Sequence, residues 1–210
     1  MYKRQDRLEL GEYQGVDCIR AKDGLLYAAA WNGAALKKRT SDLVRTDGGH
    51  SAAILSVEGE LTGFAFDAAG DVWLTQLTTA GGTLCRAKHD SWGAAVEQVV
   101  TQLDGAPLGA VSAVEVSPAG KVYFAVAAAA GAENGLESAL RTELLAHTAT
   151  GCVYVYDPAA RTVEKVLGGV AGAAGLALSP DGSTLYVSDL GSRCIWAVDA
   201  AARELTAGDG

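Results

Sequence analysis

Few side chains in this chain are placed to do chemistry. Two aspartates stand out. Asp17 lies inside the short apolar strand Val16 to Ile19, and Asp189 closes the strand Leu185 to Ser188, where it could face a loop. The three histidines are scattered. Gly49-His50-Ser51-Ala52-Ala53 suggests a nucleophile elbow, but that motif needs Gly-x-Ser-x-Gly on a strand–turn–helix, and Ala53 stands where the last Gly belongs. A solvated loop is the expectation there. His89 sits by a turn. His147 ends a helical pattern, where its charge suits the helix dipole. Asp23 and Asp181 precede glycines and read as turn formers. The four cysteines, Cys18, Cys85, Cys152 and Cys194, include no CxxC pair. A zinc site built on a Cys pair is therefore not expected, and small buried hydrophobes are.

The elements that must hold these groups repeat. A small or acidic residue, a glycine and an apolar strand carrying an aromatic recur four times: Asp23-Gly24-Leu25-Leu26-Tyr27, Ala69-Gly70-Asp71-Val72-Trp73, Ala119-Gly120-Lys121-Val122-Tyr123 and Asp181-Gly182-Ser183-Thr184-Leu185-Tyr186. The four glycines lie 46, 50 and 62 residues apart. Each phrase predicts a hairpin, because glycine takes the positive φ that a tight turn demands and the flanks favour strand. A second hairpin is clearest at Cys152 to Tyr156 and Arg161 to Leu167, around the turn Asp157-Pro158-Ala159-Ala160. Two hairpins per repeat give a four-stranded antiparallel sheet, and units of about 40–50 residues with four strands mark a β-propeller. The fold class expected is all-β, with blades at 12–45, 55–105, 106–168 and 169–210. The long third interval holds an insertion, residues 136–147, in which Leu136, Leu140 and Leu144 form one helical stripe. Residues 40–53 and 88–93 read as irregular, and Trp31, Trp73 and Trp196 as packing between blades.

Composition narrows the function. Of 210 residues 49% are hydrophobic and 20% charged, which suits a folded globular chain. The net charge of −8 argues against nucleic acid and against anionic membrane surfaces, both of which need clustered Lys and Arg. The most apolar run, Val122 to Ala130, is far below the roughly 20 residues of a spanning helix, and no apolar stretch follows the charged start. Either the chain is cytoplasmic as it stands or its true N-terminus is missing, and the compartment stays open.

Several of these residues carry a resemblance. Gly175-Leu176-Ala177-Leu178-Ser179-Pro180-Asp181-Gly182, with Tyr186-Val187-Ser188-Asp189 and Ile195-Trp196, resembles the strictosidine synthase-like propellers. So does Gly151-Cys152-Val153-Tyr154-Val155-Tyr156-Asp157-Pro158, preceded as in that family by a helical insertion. Val114-Glu115-Val116-Ser117-Pro118 with Val122-Tyr123-Phe124, and Gly63-Phe64-Ala65-Phe66-Asp67, match earlier strands of the family. Gluconolactonase and senescence-marker-protein propellers, the adipocyte plasma-membrane-associated protein and the calcium-dependent phosphotriesterase superfamily are related in architecture. The resemblance implies a six-bladed propeller with a small-molecule pocket at one mouth of its channel. It implies one of two activities. The first is hydrolysis of a lactone or ester with a divalent cation, commonly calcium, held by oxygen ligands from several blades. The second is a strictosidine synthase-type condensation using a glutamate of the last blade. Members are often secreted or membrane-anchored.

The family's ligand positions fall on altered residues. Its Asn-Asp pair aligns with Ser112 and Ala113, its Thr-Asp with Ala125 and Val126, and its Asn-Gly with Ala174 and Gly175. Its first-blade glutamate falls near Gln14 or Asp17, and its Gly-Arg-Pro is replaced by Gly59-Glu60-Leu61. The only asparagines, Asn32 and Asn134, match no ligand position. Asp17, Ser112, Ala174 and Asp189 are thus the pocket candidates. No metal-ligating set is identified, and a non-catalytic propeller that binds a small molecule or a protein is the alternative. At roughly 50 residues per blade, 210 residues make four. Four blades of a six-bladed design would leave edges and apolar faces that invite self-association. Three outcomes are open: the sequence is a piece, it assembles with a partner chain, or it re-closes as a four-bladed ring.

Overall fold

The computed structural model of the chain describes residues 13–33, 36–47 and 50–208. Four antiparallel sheets follow one another. The first holds β1 (Gly15–Lys22), β2 (Leu25–Asn32), β3 (Thr40–Thr46) and β4 (Ser51–Glu58). The second holds β5 (Glu60–Phe66), β6 (Val72–Thr78), β7 (Gly81–Ala87) and β8 (Glu97–Val100). A small hairpin, β9 (Gln102–Leu103) and β10 (Ala106–Pro107), leads to the third: β11 (Ala110–Val116), β12 (Val122–Ala128), β13 (Gly151–Asp157) and β14 (Thr162–Val170). The fourth has three strands, β15 (Ala173–Leu178), β16 (Thr184–Asp189) and β17 (Cys194–Asp199). The chain then turns back, and β18 (Leu205–Thr206) adds in parallel to β14 on the third sheet. The sheets are four blades of a propeller, packed in sequence through their first strands: β1 and β2 on β5, β5 on β11, β11 on β15. Residues 40–53, expected to be irregular, supply β3 and β4, the two outer strands of blade 1.

The recurrent glycine phrase is a turn with its own cap. Asp23 and Gly24 both take positive φ, the signature of a two-residue hairpin turn. In blades 2 to 4 a side chain three residues before the glycine closes the turn. Asp67 Oδ1 accepts the Asp71 amide at 3.0 Å, Ser117 Oγ the Lys121 amide at 3.1 Å, and Ser179 Oγ the Thr184 amide at 2.9 Å. These side chains satisfy amides that the ladder leaves free.

Alternation along the strands builds three apolar layers, one between each pair of blades. Tyr27, Leu43 and Leu55 pack on Phe64 and Leu74. Trp73 and Leu84 pack with Val111, Val114 and Phe124. Tyr123, Val153 and Val155 pack on Leu176, Leu185 and Val187. Backbones approach closely as well: a Cβ on Gly63 would lie 3.1 Å from Ala113 Cα in the next blade. Near the glycine turns, Arg20 of β1 reaches past blade 2 to Glu115 of β11 at 2.6 Å. Burial raises the Glu115 pKa, and Arg20 opposes the rise.

The expected insertion is α1 (Leu136–Ala146), between β12 and β13, ended by His147 in the left-handed conformation. Leu140 and Leu144 lie against the Gly172 loop of blade 4. The buried Glu143 accepts hydrogen bonds from the Thr148 hydroxyl and from both the amide and the hydroxyl of Thr150, which ties the end of the helix to the start of β13.

Candidate functional site

Each innermost strand breaks register near its start. The pairing skips Asp17 in β1, Thr62 in β5, Ser112 in β11 and Ala174 in β15. These four residues are therefore the same position in four blades. A bulge leaves its extra residue outside the ladder and re-aims its side chain. Three of the four pocket candidates, Asp17, Ser112 and Ala174, hold this position. Thr62 is the fourth member, which the sequence reading missed.

The structure gives the four different surroundings. Thr62 Oγ1 donates to the Thr75 carbonyl at 3.1 Å. Ser112 is buried, and its Oγ donates to the Ala173 carbonyl at 2.6 Å, stitching β11 to β15. Ala174 carries no polar atom. Asp17 opens into a cavity, with Thr62 beside it in the wall. That cavity, of about 510 Å³, is lined by Asp17, Thr62, Trp31, Arg39 and Glu60 and by the start of α1, from Asn134 to Arg141. Ser112 and Ala174 are not among its lining residues. Asp189 is elsewhere, buried at the end of β16, where its carboxylate accepts the Ser192 amide at 2.9 Å and the Trp196 indole N–H at 3.0 Å. Burial works to raise the Asp189 pKa, but these hydrogen bonds prevail and lower it. It holds the β16–β17 turn.

One network shapes the cavity wall. Glu60 is buried at the start of β5. Its Oε1 pairs with Arg39, and its Oε2 accepts the Leu136 amide at 2.8 Å, so it fills the role of a side-chain cap at the start of α1. The Arg39 guanidinium stacks over Trp31 at 4.3 Å from the ring centroid. Gly15 leaves room for the Trp31 ring, which a Cβ there would strike. Burial raises the Asp17 pKa above the ordinary carboxylate value, although its outer edge meets solvent. The Trp31 N–H, buried but in no well-formed hydrogen bond, and the charge of Arg39 oppose that rise. Arg141 lines the same cavity and makes no ion pair among the described residues. A groove of equal volume runs between the outer strands of blades 2 and 3, but its Arg86 is already paired with Asp71 at 2.6 Å.

The histidines stay apart from this site. Ser51 begins a strand, which removes the elbow reading of His50-Ser51. The His89 ring packs edge-on against Trp92 at 4.7 Å, and Trp92 in turn meets Tyr27 at 6.4 Å. All four cysteines are free. Cys85 is buried and the other three are half-buried.

A calcium ion needs about six to eight oxygen ligands converging from several elements. The bulge positions supply one open carboxylate, two hydroxyls already bonded to the backbone, and a methyl group. Glu60 is held by Arg39 and Leu136. Among the described residues no group of three or more His, Cys, Asp and Glu could hold a metal ion. The residues present do not fit a divalent cation. Among them, too, no helix is long and apolar enough to cross a membrane.

A family model described as the SMP-30/Gluconolactonase/LRE-like region matches residues 75–209, more than half the chain. No curated protein matches the chain in sequence. Solved structures similar in fold include a chain of a nidogen/laminin complex (14% identity, TM-score 0.60, covering 88% of this chain and 64% of that one). A gluconolactonase from Xanthomonas campestris is 21% identical, with TM-score 0.59, covering 86% of this chain and 63% of that one. A luciferin-regenerating enzyme is 18% identical, with TM-score 0.61, covering 90% and 57%. The chain thus spans less than two thirds of the length of each, and at these identities the likeness is one of fold.

Proposed function

The chain belongs to the SMP-30/gluconolactonase/LRE-like family, and on that premise we propose that it forms the small-molecule site of a lactone- or ester-hydrolysing propeller, with Asp17 as the working carboxylate. One observation carries the reading. Of the four equivalent bulge residues, only Asp17 keeps an open acidic side chain, and it opens into the cavity that Trp31 and the start of α1 enclose.

The chemistry follows from the raised pKa of Asp17. A more basic carboxylate is the better proton acceptor, provided it remains ionised at the working pH. Asp17 would take a proton from a water as that water attacks the substrate carbonyl. Arg141, a cation of the lining with no ion pair among the described residues, would offset the charge that gathers on the carbonyl oxygen. Trp31 and the stem of Leu140 give the apolar part of the wall. No step passes through a metal ion. Strictosidine synthase-type condensation, the other activity implied by the sequence resemblance, finds no support among the described residues.

A second reading, binding without turnover, is favoured by the commitment of Ser112 and the loss of any polar atom at Ala174. One experiment separates the two. Lactones and aryl esters are assayed with the wild type and with Asp17→Asn, while quenching of tryptophan fluorescence reports binding. Turnover that falls by about 10²–10⁴ in Asp17→Asn, with binding kept, is the expected result. Binding without turnover in the wild type selects the second reading, and the absence of both removes the cavity from either.

A further inference from the structure

Both asparagines of the chain precede glycine: Asn32-Gly33 and Asn134-Gly135. In Asn-Gly the side-chain amide carbon lies within reach of the next backbone nitrogen, and glycine, with no Cβ, lets the chain fold onto itself for that attack. The two copies have different surroundings. Asn32 ends β2, paired with Thr40 of β3, and the Gly33 amide donates to the Gln14 side chain at 2.9 Å. Asn134 is exposed and ends the single 3-10 turn Ala132–Asn134, outside every sheet. The Gly135 amide is held by one local bond, to the Ala132 carbonyl at 3.1 Å. Freeing it takes no strand apart.

Asn134 and Gly135 also line the Asp17 cavity. The Asn134 Nδ2 donates to the neighbouring Glu133 carboxylate at 2.9 Å. Gly135 is buried, with φ at +93°, and a Cβ there would lie 2.9 Å from Glu60 Oε1. The next amide, that of Leu136, donates to Glu60 Oε2 at 2.8 Å. The backbone just after Asn134 is therefore fitted against the carboxylate that shapes the cavity wall, with no slack for an added atom.

We infer that Asn134 is a site of spontaneous deamidation and that its product loosens the cavity wall. The Gly135 nitrogen attacks the Asn134 side-chain amide carbon. A bond forms from that nitrogen to Cγ, the Cγ–Nδ2 bond breaks, and ammonia leaves with the proton that Gly135 gives up. Water then opens the cyclic imide. Opening at Cγ leaves aspartate. Opening at the main-chain carbonyl leaves isoaspartate, whose backbone runs through Cγ and is a carbon longer. Either product brings a negative charge to a cavity that already holds Asp17 and Glu60. Only isoaspartate lengthens the segment between the Ala132 turn and the Leu136 amide, and so draws that amide off Glu60. The chemistry needs water alone, and it does not depend on the role proposed for Asp17.

The test is ageing of the 210-residue chain in mildly alkaline buffer, followed by peptide mass spectrometry and by labelling with an isoaspartate-specific methyltransferase. The expected result is conversion of amide to acid at Asn134 several-fold faster than at Asn32, with methyl label on the peptide that holds position 134. In urea-unfolded chain the two rates should converge, because both sites are then the same dipeptide in open chain. Asn134→Gln should remove the label from that peptide. Equal rates in the folded chain, Asn32 reacting first, or an Asn134 that stays intact each overturn the proposal. The loosening is read separately by urea unfolding. The isoaspartyl fraction, isolated by anion exchange, should unfold at a lower midpoint than Asn134→Asp, which adds the charge without the backbone carbon. Equal midpoints would show that the Leu136–Glu60 bond survives and would overturn that half of the inference. No readout uses turnover, so a chain inert to lactones and esters is tested just as well.

Discussion

Glu60 is the best place to test how the cavity wall is held. Its carboxylate has two partners: Arg39, itself leaning on Trp31, and the amide of Leu136 at 2.8 Å. The Glu60 and Arg39 side chains are 7% and 16% exposed. Glu60→Ala removes the acceptor from both and leaves a guanidinium mostly out of water. Breaking one partner of a buried pair costs about 3–5 kcal/mol, and the partial access of Arg39 to solvent argues for the lower end, about 3 kcal/mol. For a chain of this size each kcal/mol moves Tm by about 2–4 °C, so Tm should fall by about 6–12 °C. Glu60→Gln keeps an acceptor for Leu136 and should lose less. The assay is urea unfolding of Glu60→Ala, Arg39→Ala and the double variant. Once Glu60 is gone, Arg39 has lost its ion-pair partner, so the double variant should be far less damaged than the sum of the singles. A coupling energy of about 2 kcal/mol is expected, and one below about 0.5 kcal/mol would refute the reasoning. Tryptophan emission adds a local readout, because Trp31 loses its ordered guanidinium cover in Glu60→Ala even under conditions where the fold survives.

Three further outcomes follow from the same structure. Because the Asp17 pKa is raised by burial, its ionisation opposes folding: stability falls as pH rises from the unfolded value of 3.8 through the folded one. Asp17→Asn should therefore stabilise the protein at neutral pH and have no effect well below pH 3.8, read by unfolding at the two pH values. Asp181 has the opposite sign. Hydrogen bonds from the Ser179 hydroxyl and from Ser183 hold its pKa down to about 2, so its contribution is present above 3.8 and lost as pH falls through 2, and Asp181→Ala should destabilise only in the upper range. Burial pushes the Cys85 thiol up to about 12. At pH 8, mass spectrometry after iodoacetamide treatment should find Cys18, Cys152 and Cys194 alkylated well before Cys85, and early labelling of Cys85 would show that the β6–β7 layer opens.

The parts of the fold that the sequence made legible are those whose physics is local. A glycine that must take positive φ, a small or acidic residue before it, and an aromatic just beyond are all short-range requirements, and the four phrases that carry them became the four inner hairpins. The insertion was legible because Leu136, Leu140 and Leu144 share one helical face. β3 and β4 were missed because outer strands such as Thr40–Thr46 keep one side in solvent, so residues like Ser41, Asp42 and Arg45 blur the alternation. Glu60 was noted only as a departure from the family's Gly-Arg-Pro. Its partners lie 21 and 76 residues away, and nothing near it in sequence announces a helix cap supplied from another blade. The equivalence of Asp17, Thr62, Ser112 and Ala174 is likewise a property of pairing: a bulge exists only relative to the strand opposite.

That pairing also explains how the fold can persist while its site changes. A bulged residue takes no part in the ladder, so Asp, Thr, Ser and Ala can exchange there without breaking a strand, provided nothing else uses the side chain. In this chain something does. The Ser112 hydroxyl now joins blade 3 to the Ala173 carbonyl of blade 4, and the Thr62 hydroxyl closes on Thr75 within blade 2. Each hydroxyl thereby spends its one proton on a buried hydrogen bond, which contributes about 1 kcal/mol and holds the side chain in the packing of its own blade. Asp17 has no such second duty. Among the described residues its carboxylate meets the indole of Trp31 and the field of Arg39, and the cavity in front of it is held open by Glu60 and α1. That is why the proposal rests on the bulge of blade 1. In blades 2 and 3 the hydroxyl at the same position bonds to the backbone, and in blade 4 the position carries only a methyl group, so a bulge can change its side chain while the strands around it keep their pairing.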